Sequence, residues 1–221
     1  MRTSACIFDL DGVIVDTARY HFLAWKRLTD QLGIHFTEED NERLKGVSRF
    51  ASLDIILEIG KINANENQKQ EYATRKNQWY VEYISKMTPN EIQPGSLAFI
   101  KELRNAGIRV AIGSASKNTP MILERVGISK LFDAVADGNN VKRAKPDPEV
   151  FIKAAQLVNI EPEKCVVFED AIAGVQAALN AGMMCIGIGV PEILKKAHFV
   201  ISGLKEMNLM KLRILENEIR L

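Results

Sequence analysis

Cysteine is scarce in this 221-residue chain, and no long apolar run occurs anywhere in it. The three cysteines, Cys6, Cys165 and Cys185, each lie inside an apolar segment, and there is no CxxC. An odd count without close pairing excludes a disulfide-stapled scaffold and suits a reducing compartment. The thiols read as small buried hydrophobes, and a zinc knuckle lacks its ligands. No stretch approaches the roughly 20 apolar residues of a membrane span. The apolar start of the chain stops at Asp9, too early for a secretory signal. The expectation is a cytoplasmic protein with no membrane partner. Charge of one sign is also missing: 29 basic and 28 acidic side chains leave a net +1. No global field therefore favours nucleic acid, and any anion site must be local. With 47% hydrophobic and 26% charged residues, the chain can bury a sizeable core in one large domain or two modest ones.

Residues 3–8 form a short apolar run, ended by Asp9 and by a turn at Gly12, as in a strand buried on both faces. Residues 18–32 carry Tyr20, Leu23, Ala24, Leu28 and Leu32 at helical spacing, with Gly33 as the stop. Thr37 suits the N-cap of a short helix, another helix is expected from about 50 to 58, and residues 66–86 predict a long exposed helix. Residues 61–71 read as a polar bend. From Pro94 onward, strand-like runs at 108–113, 134–136, 165–168, 184–188 and 199–201 alternate with helices at about 96–105, 119–126, 148–158 and 171–181. That order predicts a parallel sheet covered by helices. The helical block then reads as an insertion after the first strand. The expected architecture is an α/β, Rossmann-like core (1–14 and 88–221) with an inserted helical cap (15–87).

In open α/β sheets, ligands bind beyond the carboxyl ends of the strands. The chemistry-bearing residues collect there: Asp9 and Asp11 after the first strand, Ser114 after the second, Lys145 before the helix at 148, and Glu169 with Asp170 after the strand at 165. So many acids in one crevice call for a cation. Asp9, Glu169 and Asp170 are hard oxygen ligands that suit Mg²⁺ in a phosphate-facing site. Ser114 and Lys145 suit the equatorial oxygens of a phosphoryl group in transfer. Two aspartates two residues apart suit a nucleophile paired with an acid/base. Taken singly, each has a plainer reading. A lone DxD is common in loops, Ser116 reads as an N-cap, Lys145-Pro146 as a turn, and Glu169-Asp170 as a cap for the next helix. Their joint occurrence in this order is what the plainer readings leave unexplained.

The segment Phe8-Asp9-Leu10-Asp11-Gly12-Val13, with Ser114, Lys145 and Glu169-Asp170 followed by Gly174, resembles the four motifs of the haloacid dehalogenase (HAD) superfamily across essentially the whole chain. The resemblance implies an aspartyl-phosphate on Asp9, with Asp11 as general acid/base and Ser114, Ala115 and Lys145 against the transferring phosphoryl group. It implies Mg²⁺ held by the side chains of Asp9 and Asp170, the Asp11 carbonyl, and Glu169 directly or through water. Residues 20–26 (YHFLAWK), 44–49 (LKGVSR), 75–77 (RKN) and 114–118 (SASKN) narrow the likeness to phosphomutases that interconvert β-D-glucose 1-phosphate and D-glucose 6-phosphate through β-glucose 1,6-bisphosphate.

Arg49 would then clamp the distal phosphate in bidentate fashion, with Ser116, Lys117 and Asn118 adding donors from the core side. The likeness places His21 and Lys45 near Asp11 when the cap closes, and adds Trp25, Gly46 and Lys76 to the substrate wall. Read from the residues alone, His21 is a surface histidine packed near Tyr20 or Trp25, and Trp25 is core. Thr17 and the Pro94 region mark the hinge. The partners implied are small sugar phosphates, acting on a monomer. A sugar-phosphate phosphatase on the same scaffold is the rival reading, and a binding module that kept the fold is a second.

Overall fold

The structure, a computed structural model, describes residues 3–219. Six strands run in chain order: β1 (Ala5–Phe8), β2 (Arg109–Gly113), β3 (Ala134–Ala136), β4 (Cys165–Glu169), β5 (Met184–Ile188) and β6 (Phe199–Ile201). They form one sheet, ordered β3-β2-β1-β4-β5-β6, with every pairing parallel. The chain winds outward from β1 in both directions, so the topological switch point, where a crevice opens, lies between β1 and β4. Phe8 pairs with Phe168, and the Asp9 N–H donates to the Phe168 carbonyl at 2.9 Å. This register sets Asp9 beside Glu169.

Burial on both faces follows from the alternation of side chains along each strand. Phe8, Val110, Ile112 and Phe168 point to one face, where the Phe8 and Phe168 rings stack at 4.8 Å and Phe99 meets them edge-on. That face is covered by α5 (Ser96–Asn105), α6 (Thr119–Arg125) and α9 (Leu209–Glu218). Ala5, Ile7, Ala111, Cys165 and Cys185 point to the other, against α7 (Glu149–Leu157) and α8 (Ile172–Asn180). Alanines there on both sheet and helices (Ala154, Ala155, Ala177, Ala178) let backbones approach closely.

Helix α9 is absent from the sequence-based assignment. Asn208 caps it by accepting from the Lys211 N–H at 2.8 Å, and Leu212 and Leu215 enter the core. Its signal was weak because Met210 and Ile214 stay exposed, blurring the apolar stripe.

Between β1 and α5 lie α1 (Ala18–Gln31), α2 (Glu38–Glu42), α3 (Arg49–Ile59) and α4 (Glu66–Ile84), with a core of their own around Trp25, Leu28, Phe36, Leu53 and Ile56. Two expectations are corrected here. Residues 66–71 belong to α4, where Asn65 and Gln68 form a capping box. And α4 is not an exposed helix: Ala73, Lys76, Tyr80 and Ile84 form a buried stripe. The polar majority of its residues hid that stripe, in which a lysine holds an inward position. The chain enters and leaves this helical unit through adjacent backbone. Val15 bridges Ile92, the Asp16 N–H donates to the Glu91 carbonyl, and the Gln93 N–H donates to the Ile14 carbonyl, each at 2.8 Å.

Candidate active site

A cavity of about 710 Å³ lies between the carboxyl edge of the sheet and the helical unit. Its walls take Asp9, Asp11 and Asp170 from the strand ends, Lys45 to Arg49 from the turn between α2 and α3 and the start of α3, Lys76 from α4, and Ala115 to Asn118 from the loop after β2. One ligand oxygen from each of Asp9, Glu169 and Asp170 falls within 4.8 Å of the others. Lys145, almost fully buried, donates to Asp9 Oδ1 and, at 2.8 Å, to Glu169 Oε2. Burial alone would discharge this lysine; the two carboxylates outweigh it and keep the ammonium charged.

Glu169 is fully buried, and its Oε1 accepts from the Ala171 N–H at 3.0 Å. Burial pushes its carboxyl up to about 7, helped by the Asp9 charge and opposed by Lys145. Burial also raises Asp170 well above the carboxylate range, reinforced by Glu169 and Asp9. Among the described residues, no donor hydrogen-bonds its carboxylate. Three close acids with one ammonium leave negative charge that a hard divalent cation fits. Two glycines keep this corner compact. A Cβ on Gly174 would sit 2.0 Å from Glu169 Cδ, and one on Gly12, at φ +81°, would sit 2.3 Å from an Asp170 oxygen.

Asp11 accepts a hydrogen bond from the Thr17 hydroxyl, and His21 Nε2 stands 3.9 Å from the same oxygen. Burial lifts the Asp11 carboxyl to about 6, helped by the Asp9 charge, which places its titration near neutrality. His21 packs on the Tyr80 ring at 4.1 Å, rather than on Tyr20 or Trp25, and its Nδ1 lies 3.1 Å from Lys76 Nζ. Burial and the charges of Lys76 and Arg49 hold this imidazole well below its usual range, so it is neutral. Burial, with Arg49 beside it, lowers Lys76 to about 7. Lys76 sits over the Trp25 and Tyr80 rings at 4.6 and 4.7 Å.

Of the residues singled out in the sequence, most line this cavity; Thr17, Ser114 and Glu169 do not reach its wall. Ser114 is fully buried beneath it, its hydroxyl accepting from the Ser116 N–H at 3.1 Å. Lys45, expected near Asp11 when the cap closes, lines the cavity, ion-pairs with Glu42 at 2.8 Å, and its charge acts on Asp170. Trp25 satisfies both of its readings, being buried in the helical core while one edge lines the cavity. Gly46 touches the sheet unit: at φ +72°, a Cβ there would meet Ala171 Cβ at 2.6 Å. Arg49 opens α3, whose N-cap Ser48 accepts from the Ala51 N–H, and it reaches the cavity half-buried. Tyr80, also on the wall, was not singled out; its place in the α4 stripe with Lys76 was the available signal.

Comparisons with known proteins agree with this geometry. The family model for haloacid dehalogenase-like hydrolases matches residues 3–182. The chain is 42% identical to the β-phosphoglucomutase of Bacillus subtilis, over 93% of this chain and 92% of that one. It is 32% identical to a phosphorylated carbohydrates phosphatase of Thermotoga maritima, over 81% and 82%. Its fold superposes on the crystal structure of a β-phosphoglucomutase from Clostridium difficile with a TM-score of 0.93, at 40% identity and 98% coverage of both chains.

Proposed function

The chain belongs to the haloacid dehalogenase-like hydrolases, and on that premise we propose a sugar phosphomutase that interconverts β-D-glucose 1-phosphate and D-glucose 6-phosphate. The observation that carries the proposal is a single cavity with two different anion sites. Asp9 with its partner Lys145, and separately Arg49 with Ser116, Lys117 and Asn118, all line it. A plain phosphatase needs one such site; a bisphosphate intermediate needs both.

In this reading, Asp9 attacks one phosphorus of β-glucose 1,6-bisphosphate. The phosphorus–oxygen bond to the sugar breaks, and Asp11 gives its proton to the departing oxygen. When the 1-phosphoryl group is the one transferred, glucose 6-phosphate leaves and β-glucose 1-phosphate binds. Its 6-hydroxyl gives a proton to Asp11 and attacks phospho-Asp9, and the bisphosphate so formed turns over in the cavity to offer its 1-phosphoryl group to the freed Asp9. Lys145 offsets charge at the phosphoryl oxygens; Ser114 and Ala115 brace the loop beside it. Asp9, Glu169 and Asp170, with the Asp11 carbonyl, would hold Mg²⁺, which supplies the positive charge that lets a carboxylate meet a phosphoryl group. Thr17 and His21 orient Asp11. The helical unit (15–87) acts as a cap that keeps water from the phosphorylated aspartate. Gly46 allows its close approach to the sheet unit, and Trp25, Lys45 and Lys76 complete the sugar-facing wall. Free buried thiols support a cytoplasmic setting.

The test supplies β-glucose 1-phosphate, Mg²⁺ and a trace of bisphosphate, then compares glucose 6-phosphate formed with phosphate released. Glucose 6-phosphate should dominate; mostly free phosphate would transfer the assignment to a sugar-phosphate phosphatase. Arg49→Ala removes charge-assisted bonds to the distal phosphate. It should lower mutase turnover about 10- to 100-fold, while hydrolysis of acetyl phosphate, which has no distal anion, stays within about threefold.

A further inference from the structure

Adjacent residues of α4 face the cavity in different company. Lys76 enters the aromatic niche of Trp25 and Tyr80, whereas Asn77 meets the opposite wall. Asn118 Nδ2 donates to Asn77 Oδ1 at 3.1 Å. Asn77 belongs to the helical unit, and Asn118 ends the loop after β2, immediately before α6. Among the described residues, the other side-chain hydrogen bonds and ion pairs between the helical unit and the remainder all cluster at the chain crossings. These are Thr17 and His21 with Asp11, and Arg19 and Tyr20 with Glu91. The pair formed by Asn77 and Asn118 is the one that spans the cavity away from them.

We propose that Asn77 is a positioning residue that latches the helical unit shut and orients the Asn118 amide for the distal phosphate. The proposal rests on the reading of residues 116–118 as that phosphate's clamp. The Asn118 backbone N–H is already given to Ser116 Oγ at 3.2 Å, which fixes the backbone but leaves the side-chain amide to rotate. Giving one Nδ2 hydrogen to Asn77 sets the amide plane and leaves the second hydrogen for a ligand oxygen. A bond made only in the shut state shifts the balance between open and shut by its own net worth. For one neutral hydrogen bond that is about two- to tenfold.

A double-mutant cycle over Asn77→Ala, Asn118→Ala and the pair tests this, read with β-glucose 1-phosphate and separately with acetyl phosphate. Asn77→Ala should raise KM for the sugar phosphate about three- to tenfold, with a smaller change in kcat, and send more product to free phosphate. Hydrolysis of acetyl phosphate should stay within about twofold. In the Asn118→Ala background, removing Asn77 should change kcat/KM by less than about twofold. An equal loss in both backgrounds, or a parallel loss with acetyl phosphate, overturns the latch. Asn77→Ser, too short to reach Asn118, replaces the alanine variant if that one unfolds. If the wild-type protein released only phosphate, the mutase reading would fail. The same cycle, read on sugar-phosphate hydrolysis, would still decide the latch.

Discussion

Asp9→Asn is expected to lower sugar-phosphate turnover by about 10⁴-fold or more, as loss of an attacking nucleophile does when the rest of the site survives. The amide is nearly isosteric, so the cavity keeps its shape, but it cannot form an acyl phosphate. Labelled phosphoryl donor should leave no acid-stable, hydroxylamine-sensitive label on the variant. Stability should hold or improve. Asp9 is one of three acids within 4.8 Å, and Lys145 retains Glu169 as partner at 2.8 Å. Urea unfolding would report this, and turnover above about a tenth of wild type would exclude Asp9 as the nucleophile.

Lys145→Met should damage both activity and folding. The ammonium is 1% exposed and bridges two carboxylates, so its removal leaves buried charge uncompensated. The expected cost is about 3–5 kcal/mol of stability near pH 7.5, with turnover down about 10²- to 10³-fold from the lost phosphoryl contact. The pH dependence has a definite sign. Asp11 and Glu169 already hold their carboxyls at about 6 and about 7, above the unfolded range of about 4. Between those values the folded chain binds more protons than the unfolded one, so stability falls as pH rises. Without Lys145, which opposes the rise, Glu169 should shift further upward, and part of the lost stability should return on acidification toward pH 6. Added Mg²⁺ should restore a similar part. Equal urea midpoints for variant and wild type at pH 7.5 would refute this role.

The sheet was legible because its strands are short, apolar and bounded by polar turns, and because a βαβ order admits few arrangements. The site was legible for the same reason: Asp9, Lys145, Glu169 and Asp170 stand at strand ends, where topology gathers them. Residue patterns by themselves did not supply the whole of the far wall: the resemblance named Lys76, and Tyr80 was not singled out. Lys76 and Tyr80 sit in a helix whose polar composition suggests exposure, and only three-dimensional packing turns that face inward. Lys45 lines the cavity, but its pairing with Glu42 is a local choice that motif spacing does not encode. Asn77 carries no chemical signature; its meaning depends wholly on Asn118, 41 residues away. α9 escaped because its exposed Met210 and Ile214 mimic core positions.

The three thiols lie on β1, β4 and β5, each no more than 1% exposed and none lining the cavity. They are therefore blind to any swinging of the helices and sensitive only to rupture of the sheet. A thiol reagent added to the native protein becomes a stopwatch for that rupture. Its labelling rate should ignore saturating sugar phosphate to the extent that ligand merely shuts the cavity, and should slow only as binding stabilises the sheet itself. Two motions that activity measurements blend together thereby acquire separate clocks within one unmodified polypeptide.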